Sequence, residues 1–537
     1  MSGAVQEPDE VAPSGAPTTA SDAVAQAMTA SGGAPKSAPA AVAGTHLSVG
    51  QRQDRGRSAR AEVPRSRLAV WSPASDRADP VALLAGQDSS RVQELVPVRH
   101  ARMAVSAFTF YRGSALVMAS DLAASPRTSL TAQLCGDAHL SNFGLFGAPD
   151  RSVVFDVNDF DETHPGPFEW DIKRLATSFV LAARDNGVQE KHGLAAAGAA
   201  AAAYRESMAS FARKTELGLW YDRVDQGGLE RAVDEILTGK QRKALSKQEA
   251  KARREVERAV AKARSRDAWS VIAKITEVID GRRRFIHQPP LLDRLEANAD
   301  VYAMVNGLYG EYIATLQDDR QQLLGRYEII DIAHKVVGVG SVGLLAFALL
   351  MQGRDDDDVM VLQVKQAQAS VLEAFTGTSP FAQHGHRVVS GQRLMQAASD
   401  SFLGWVEGRS GRSYYVRQLR DMKWSPDPAT LNQSALPRYA ALCGYALARA
   451  HARSGDAVAI AAYLGSGESF DRSVTDFAGA YADQVQRDFE TFVAAIADGS
   501  IEAIEEAAGG EGLRAAQHAA ASPPSRQVRK PRAPKKP

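Results

Sequence analysis

The run Phe155-Asp156-Val157-Asn158-Asp159-Phe160-Asp161-Glu162 constrains this chain more than any other stretch. It crowds four acidic side chains among three apolar ones that favour burial. Carboxylates packed this closely repel one another unless a cation or basic side chains neutralise them. A plain exposed acidic turn would leave Phe155, Val157 and Phe160 in water. The economical reading is a strand over Ser152–Val157 that ends beside a divalent metal, with Asp156 and Asp159 as rival ligands.

A second polar loop lies just upstream, Gly136-Asp137-Ala138-His139-Leu140-Ser141-Asn142. A kinase catalytic loop needs this Asp-to-Asn spacing: the Asp accepts the proton of the nucleophile and the Asn holds a metal. That assigns Asp137 and Asn142. The plainer alternative is a turn whose Asp and Asn bond their own backbone. His139 either positions a phosphate or hydrogen-bonds the loop. Asp159-Phe160-Asp161 fits the shape of the D-F-G turn that supplies the next metal ligand in kinases.

A third feature is Gly338-Val339-Gly340-Ser341-Val342-Gly343, with a strand expected before it at Lys335–Val337. It is not a Walker A loop, because Leu344 follows the last glycine. A dinucleotide turn would lead into a helix and then a strand ending in an acid. Here Val359–Lys365 ends in lysine, which favours a kinase-type glycine loop with Lys365 on the nucleotide phosphates. Glu373 is then the expected partner of Lys365. Arg112 and Arg417 each sit among buriable residues and could grip phosphate or an acidic substrate, although structural ion pairs are the commoner fate.

Residues 1–70 contain no aromatic residue and should be disordered, and so should the basic tail, 510–537. Between them lie two blocks: a helical one over 83–282, with a charged helical insert at 240–266, and a strand-rich one over 283–492. Lys and Arg number 63, as do Asp and Glu, so no global basic field suggests nucleic acid. Two cysteines, Cys135 and Cys443, suit a reducing compartment. No secretory signal or membrane span is evident, so a cytoplasmic location is expected.

These runs carry a resemblance. Gly136–Asn142 resembles the H-G-D-x-H-x-x-N loop of aminoglycoside and choline phosphotransferases, with Cys135 in place of the first His. Asp159-Phe160-Asp161 followed by Trp170-Asp171-Ile172 resembles their later acidic motifs. Ala446–His451 resembles the helix that normally precedes their catalytic loop. From about Arg91 to Asp483 the chain looks like a large bacterial family known as a domain of unknown function, on the runs FTFYRG, CGDAHLSNFG, FDVNDFDE, VGVGSVG, LQVK and YYVRQLRDMK.

The resemblance implies an α+β, protein-kinase-like, two-lobed fold whose motifs are circularly permuted, with the helical lobe first and the strand-rich nucleotide lobe second. ATP and Mg²⁺ are the expected cofactors. The expected acceptor is a hydroxyl group on a small molecule or a protein. Asp137 and His139 would serve catalysis, Asn142 and Asp159 or Asp156 the metal, and Gly338, Gly340, Gly343, Lys365 and Glu373 the nucleotide. A metal-dependent hydrolase and an inactive nucleotide-binding pseudokinase are the alternatives.

Overall fold

The computed structural model describes residues 46–225, 227–228, 254, 257–264, 268–289, 292–295, 299–335, 342–419 and 422–504. The first of these correct an expectation. Helix α1 (Val49–Glu62) lies in the segment whose composition suggests disorder, and it opens on a capping box between Ser48 and Gln51. It packs without large side chains: a Cβ on Gly56 would lie 2.1 Å from Ala459 O, and Ala59 and Leu68 are buried. Close backbone approach through small residues is invisible to an argument built on missing aromatics. Helices α2 (Pro80–Asp88) and α3 (Ala107–Gly113) follow.

Two short ladders frame the loops of interest. Strand β1 (Thr131–Leu134) pairs with β4 (His164–Pro167), and β2 (Phe143–Gly147) with β3 (Val153–Val157), both antiparallel. Helix α4 (Glu169–Asp185) follows β4, and α5 is Glu190–Phe211. The sequence gives α4 one apolar face, yet every residue from Glu169 to Ala183 is buried. A helix buried all round must satisfy its polar groups inside the protein. Glu169 accepts from Thr128 N and Oγ1, Lys173 Nζ lies 4.2 Å from the centre of the Phe477 ring, and Asp171 and Arg174 serve the 135–142 loop.

The strand-rich part starts with β5 (Leu292–Arg294) and helix α6 (Ala299–Ile313). Strands β6 (Glu328–Lys335), β7 (Ala346–Gln352) and β8 (Val359–Ala367) come next, then helix α7 (His384–Met395), β9 (Gly404–Glu407) and β10 (Ser413–Gln418). They form one six-stranded antiparallel sheet in the order β9-β10-β8-β7-β6-β5. Period-two alternation divides its faces. Leu362, Tyr414 and Val416 pack with Tyr312 and Leu316 on one side. Gln363 and Lys365 of β8 lie opposite Arg417 and Tyr415 of β10 on the other. Gly343 precedes β7, which runs antiparallel to β6 and is not the helix a dinucleotide turn requires. Gly338, Gly340 and most of the 240–266 insert lie outside the described residues.

The chain then returns. Helices α8 (Leu436–Ser454), α9 (Ala457–Leu464) and α10 (Ser469–Ala497) share one core with α4 and α5. A division at residue 283 therefore fails as a packing boundary, because the last helices belong to the first block. The reason is apolar: Leu447, Ile460, Val474 and Phe477 complete a core that the first block leaves open. A Cβ on Gly444 would lie 2.3 Å from Ala200 O, so α8 and α5 touch backbone to backbone. Among the described residues, no helix is long and apolar enough to cross a membrane.

Candidate active site

The 135–142 loop is held from below by α4. Asp171 accepts hydrogen bonds from Cys135 N (2.6 Å) and Gly136 N (3.0 Å), and His451 Nε2 lies 3.2 Å from the same carboxylate. Gly136 has φ +76°, and a Cβ there would meet Glu162 O at 2.6 Å, so the turn requires glycine. Arg174 Nε donates to Asp137 Oδ1 at 2.7 Å, and Arg174 also donates to Tyr111 O. Asn142 Nδ2 donates to Asp137 O (2.9 Å), and Asn158 N donates to Asn142 O (2.9 Å), which stitches this loop to the acidic run. His139 is buried with Nε2 3.7 Å from Asp137 Oδ2, and among the described residues its Nδ1 has no partner. Burial pushes its imidazole down to about 3, against the pull of Asp137, so the ring is neutral.

The four acids of the run point four ways, and basic groups or backbone donors meet each. Asp156 turns inward: Arg449 donates to its Oδ2 (2.5 Å), and Ala397 N and Val157 N also donate to it. Both ends of that ion pair are wholly buried. This removes Asp156 from the metal role expected of it, because its oxygens are committed to the core. Glu162 accepts from Val371 N and supports the backbone after β8. Asp161 accepts from Lys365 Nζ (2.7 Å) and Tyr415 OH (2.6 Å). Asp159 is the open one, with its side chain 37 % exposed, Lys365 Nζ at 3.6 Å and Arg417 at 3.3 Å. Burial would raise its pKa, but Lys365, Arg417 and Lys423 hold it well below the usual carboxylate range.

From the sheet, β8 delivers Lys365 and β10 delivers Arg417. Burial alone would discharge Lys365, yet Asp159 and Asp161 hold its ammonium well above the ordinary range. Its expected partner Glu373 is elsewhere. Glu373 accepts from Ser370 N and Ser379 N and lies 3.6 Å from Arg387, because the chain after β8 turns back on itself before α7 begins. Gly343 has φ +86° and is clamped: its carbonyl accepts from Val92 N, and a Cβ there would meet the Arg91 side chain at 2.9 Å.

Two cavities open between body and sheet, of about 640 and 660 Å³. The first is lined by Lys365, Arg417 and Gln392, the second by Asp137, His139 and Glu162. Arg112, Asn142 and Asp159 line both and form the partition between them. Among the described residues, five buried polar atoms of residues lining the first cavity make no hydrogen bond: Arg112 Nε, Ser141 Oγ, Asn158 Oδ1 and Nδ2, and Gln392 Nε2. Buried polar atoms are normally paired, so these walls have hydrogen bonds to give to water or to a polar ligand. Among the described residues, no three His, Cys, Asp or Glu side chains converge as a metal cage. A divalent ion at this partition would take Asn142, Asp159 and oxygens of the ligand itself.

The structure thus places Arg112, Asn142 and Asp159 on the wall shared by the two cavities, Lys365 and Arg417 on the first, and Asp137 and His139 on the second; Gly343 packs on Arg91 and lines neither, and Asp156 and Glu373 also lie outside both. Sequence reasoning overlooked Arg174, Asp171, Asn158 and Asp161 as parts of the site. Asp161 was visible as a second acid in the run, but only the fold shows that it meets Lys365.

One family model matches residues 91–495, described as an uncharacterized protein conserved in bacteria (DUF2252). No curated protein and no solved structure matches the chain.

Proposed function

We propose that the protein, which belongs to this DUF2252 family, is an ATP- and Mg²⁺-dependent phosphotransferase acting on a hydroxyl acceptor through a circularly permuted, kinase-like pair of lobes. The observation that carries the reading is the bond from Lys365 to Asp161, across 204 residues of chain, with Asp159 beside it and Asn142 on the same wall. A phosphate-holding lysine, a metal-holding carboxylate and a catalytic-loop amide are the parts that phosphoryl transfer needs together. The strand order supports it: a glycine-containing connection joins the first two strands of β6-β7-β8, the third carries the lysine, and a single helical turn (Glu373–Thr376) and α7 intervene before β9 and β10. The permutation is supported at the far end of α8, where Ser454 Oγ accepts from Gln133 N at 3.2 Å. Helix and loop, adjacent along an ordinary kinase chain, are here adjacent only in space.

A bound nucleotide with its divalent ion would supply the phosphoryl group and neutralise its charge. The residues of the chain do the rest. Lys365 and Arg417 offer cations to phosphate oxygens. Asn142, with its amide nitrogen committed to Asp137 O, keeps its oxygen for the metal beside Asp159. Asp137, fixed by Arg174, orients the acceptor hydroxyl and takes its proton. The neutral His139 shields that carboxylate from water without adding charge.

Calorimetric titration tests this reading. MgATP should bind, NAD should not, and Lys365→Ala should weaken MgATP at least tenfold. Tight NAD binding without ATP binding would overturn it, and so would phosphate-ester hydrolysis that needs no nucleotide.

A further inference from the structure

Buried arginines in this protein follow a rule. Arg77 holds Asp121 (2.7 Å) and Asp488 (2.6 Å), Arg99 holds Asp88 (2.8 Å), Arg205 holds Asp471 (2.8 Å), and Arg174 holds Asp137. Each of these guanidinium groups has a carboxylate directly on it, as desolvation demands. Arg453 departs from the rule and stacks on Trp220, outside both cavities. Arg112 departs from it too. Arg112 lies in the last turn of α3, in the partition between the two cavities, and among the described residues its buried Nε has no hydrogen-bond partner. Asp137 and Asp159 act on it only through their field, opposing the burial that lowers its pKa.

We infer that Arg112 is a catalytic residue that grips the phosphoryl group in flight between nucleotide and acceptor. The inference rests on the phosphotransferase reading and deepens it. The partition divides the chemistry: Lys365 and Arg417 line the cavity on one side, and Asp137 and His139 line the cavity on the other. The first is then the nucleotide side and the second the acceptor side. A group passing from one to the other crosses at Arg112, Asn142 and Asp159. Of these three, Arg112 alone is a cation, and its planar fork suits two oxygens of a tetrahedral or trigonal phosphoryl group.

In the step itself, the bond between the γ-phosphorus and its bridging oxygen breaks, and ADP leaves with the electron pair. A bond forms between phosphorus and the acceptor oxygen, whose proton passes to Asp137. Negative charge on the equatorial oxygens persists throughout, and Arg112 meets it at the crossing point. A helix-borne arginine built into the chain would do what a partner-supplied arginine does elsewhere.

The test compares MgADP with MgADP plus fluoroaluminate, a mimic of the phosphoryl group in transfer, by calorimetry on the full chain. Wild-type protein should bind MgADP more tightly when fluoroaluminate is present. Arg112→Ala and Arg112→Lys should bind MgADP within about threefold of wild type but lose most of that tightening. Lysine keeps the charge and the fold while lacking the fork, so it covers the event that alanine unfolds the loop. Tightening retained in both variants would overturn the assignment and make Arg112 a structural counter-charge. Failure of the wild type to bind MgADP at all would instead overturn the phosphotransferase reading, a result the variants cannot mimic.

Discussion

Asp156→Asn separates the two roles open to the acidic run. In the structure, Asp156 is the partner that Arg449 relies on: among the described residues Arg449 Nε and Nη1 have none, and its remaining bond goes to Met395 O (3.1 Å). Neither side chain reaches solvent. Asparagine keeps one acceptor for Val157 N or Ala397 N, but it turns a donor toward a guanidinium and leaves the charge unmatched. Removing one partner of a buried pair costs about 3–5 kcal/mol. With an unfolding slope of about 3 kcal/mol per molar urea, the top of the range for smaller proteins, the midpoint should fall by roughly 1–2 M. Urea titration followed by tryptophan fluorescence reads this directly. Asp156→Leu combined with Arg449→Met removes both charges and should recover much of the loss. Folded Asp156→Asn should still bind MgATP, because Asp159 faces the cavity. An unshifted midpoint, or a normal midpoint with metal-dependent binding gone, would refute the reasoning and return Asp156 to the metal.

Further outcomes follow from burial and backbone geometry. The His139 imidazole titrates near 3 when folded, against an ordinary value of 6.5. Across that window the unfolded chain holds a proton that the folded chain refuses. Stability should therefore fall with falling pH, by up to about 1.4 kcal/mol per pH unit. His139→Gln should remove that component of the slope, and parallel pH profiles for variant and wild type would count against it. Gly136→Ala should lower the melting temperature and disturb the 135–142 loop, since φ +76° and Glu162 O leave no place for a methyl group; an unchanged melting curve would contradict this. Starting the chain at Trp71 removes α1 and Leu68, and should lower the unfolding midpoint; an intact midpoint would mean that α1 contributes nothing by packing.

Much of the architecture was legible because periodicity and punctuation agree. The strand at Val359–Lys365 is found at Val359–Ala367, and the helical run Ala446–His451 lies within α8, Leu436–Ser454. The cleft was legible as types of residue, not as pairings. Asn142 and Asp159 line both cavities, with Lys365 in the first and Asp137 in the second, a placement that spacing along the chain does not fix. Lys365, however, found Asp161 rather than Glu373, because partner choice depends on which strand faces which loop. Asp156 and Asp159 are equal on the chain, but β3 points the first into the core while the turn after it carries the second outward. Helix α1 was missed because glycine and alanine bury backbone, which no count of large side chains records.

Helix α7 is fastened to the acidic run along its length. Arg387 donates to Thr163 O, Gln396 Nε2 just beyond its end donates to Val157 O, and Ala397 N donates to Asp156. Any swing of α7 would break these three hydrogen bonds and pull on the backbone of the acidic run itself. The consequence is mechanical: the wall that carries Asp159 and the helix packed on β9 and β10 shift as one piece.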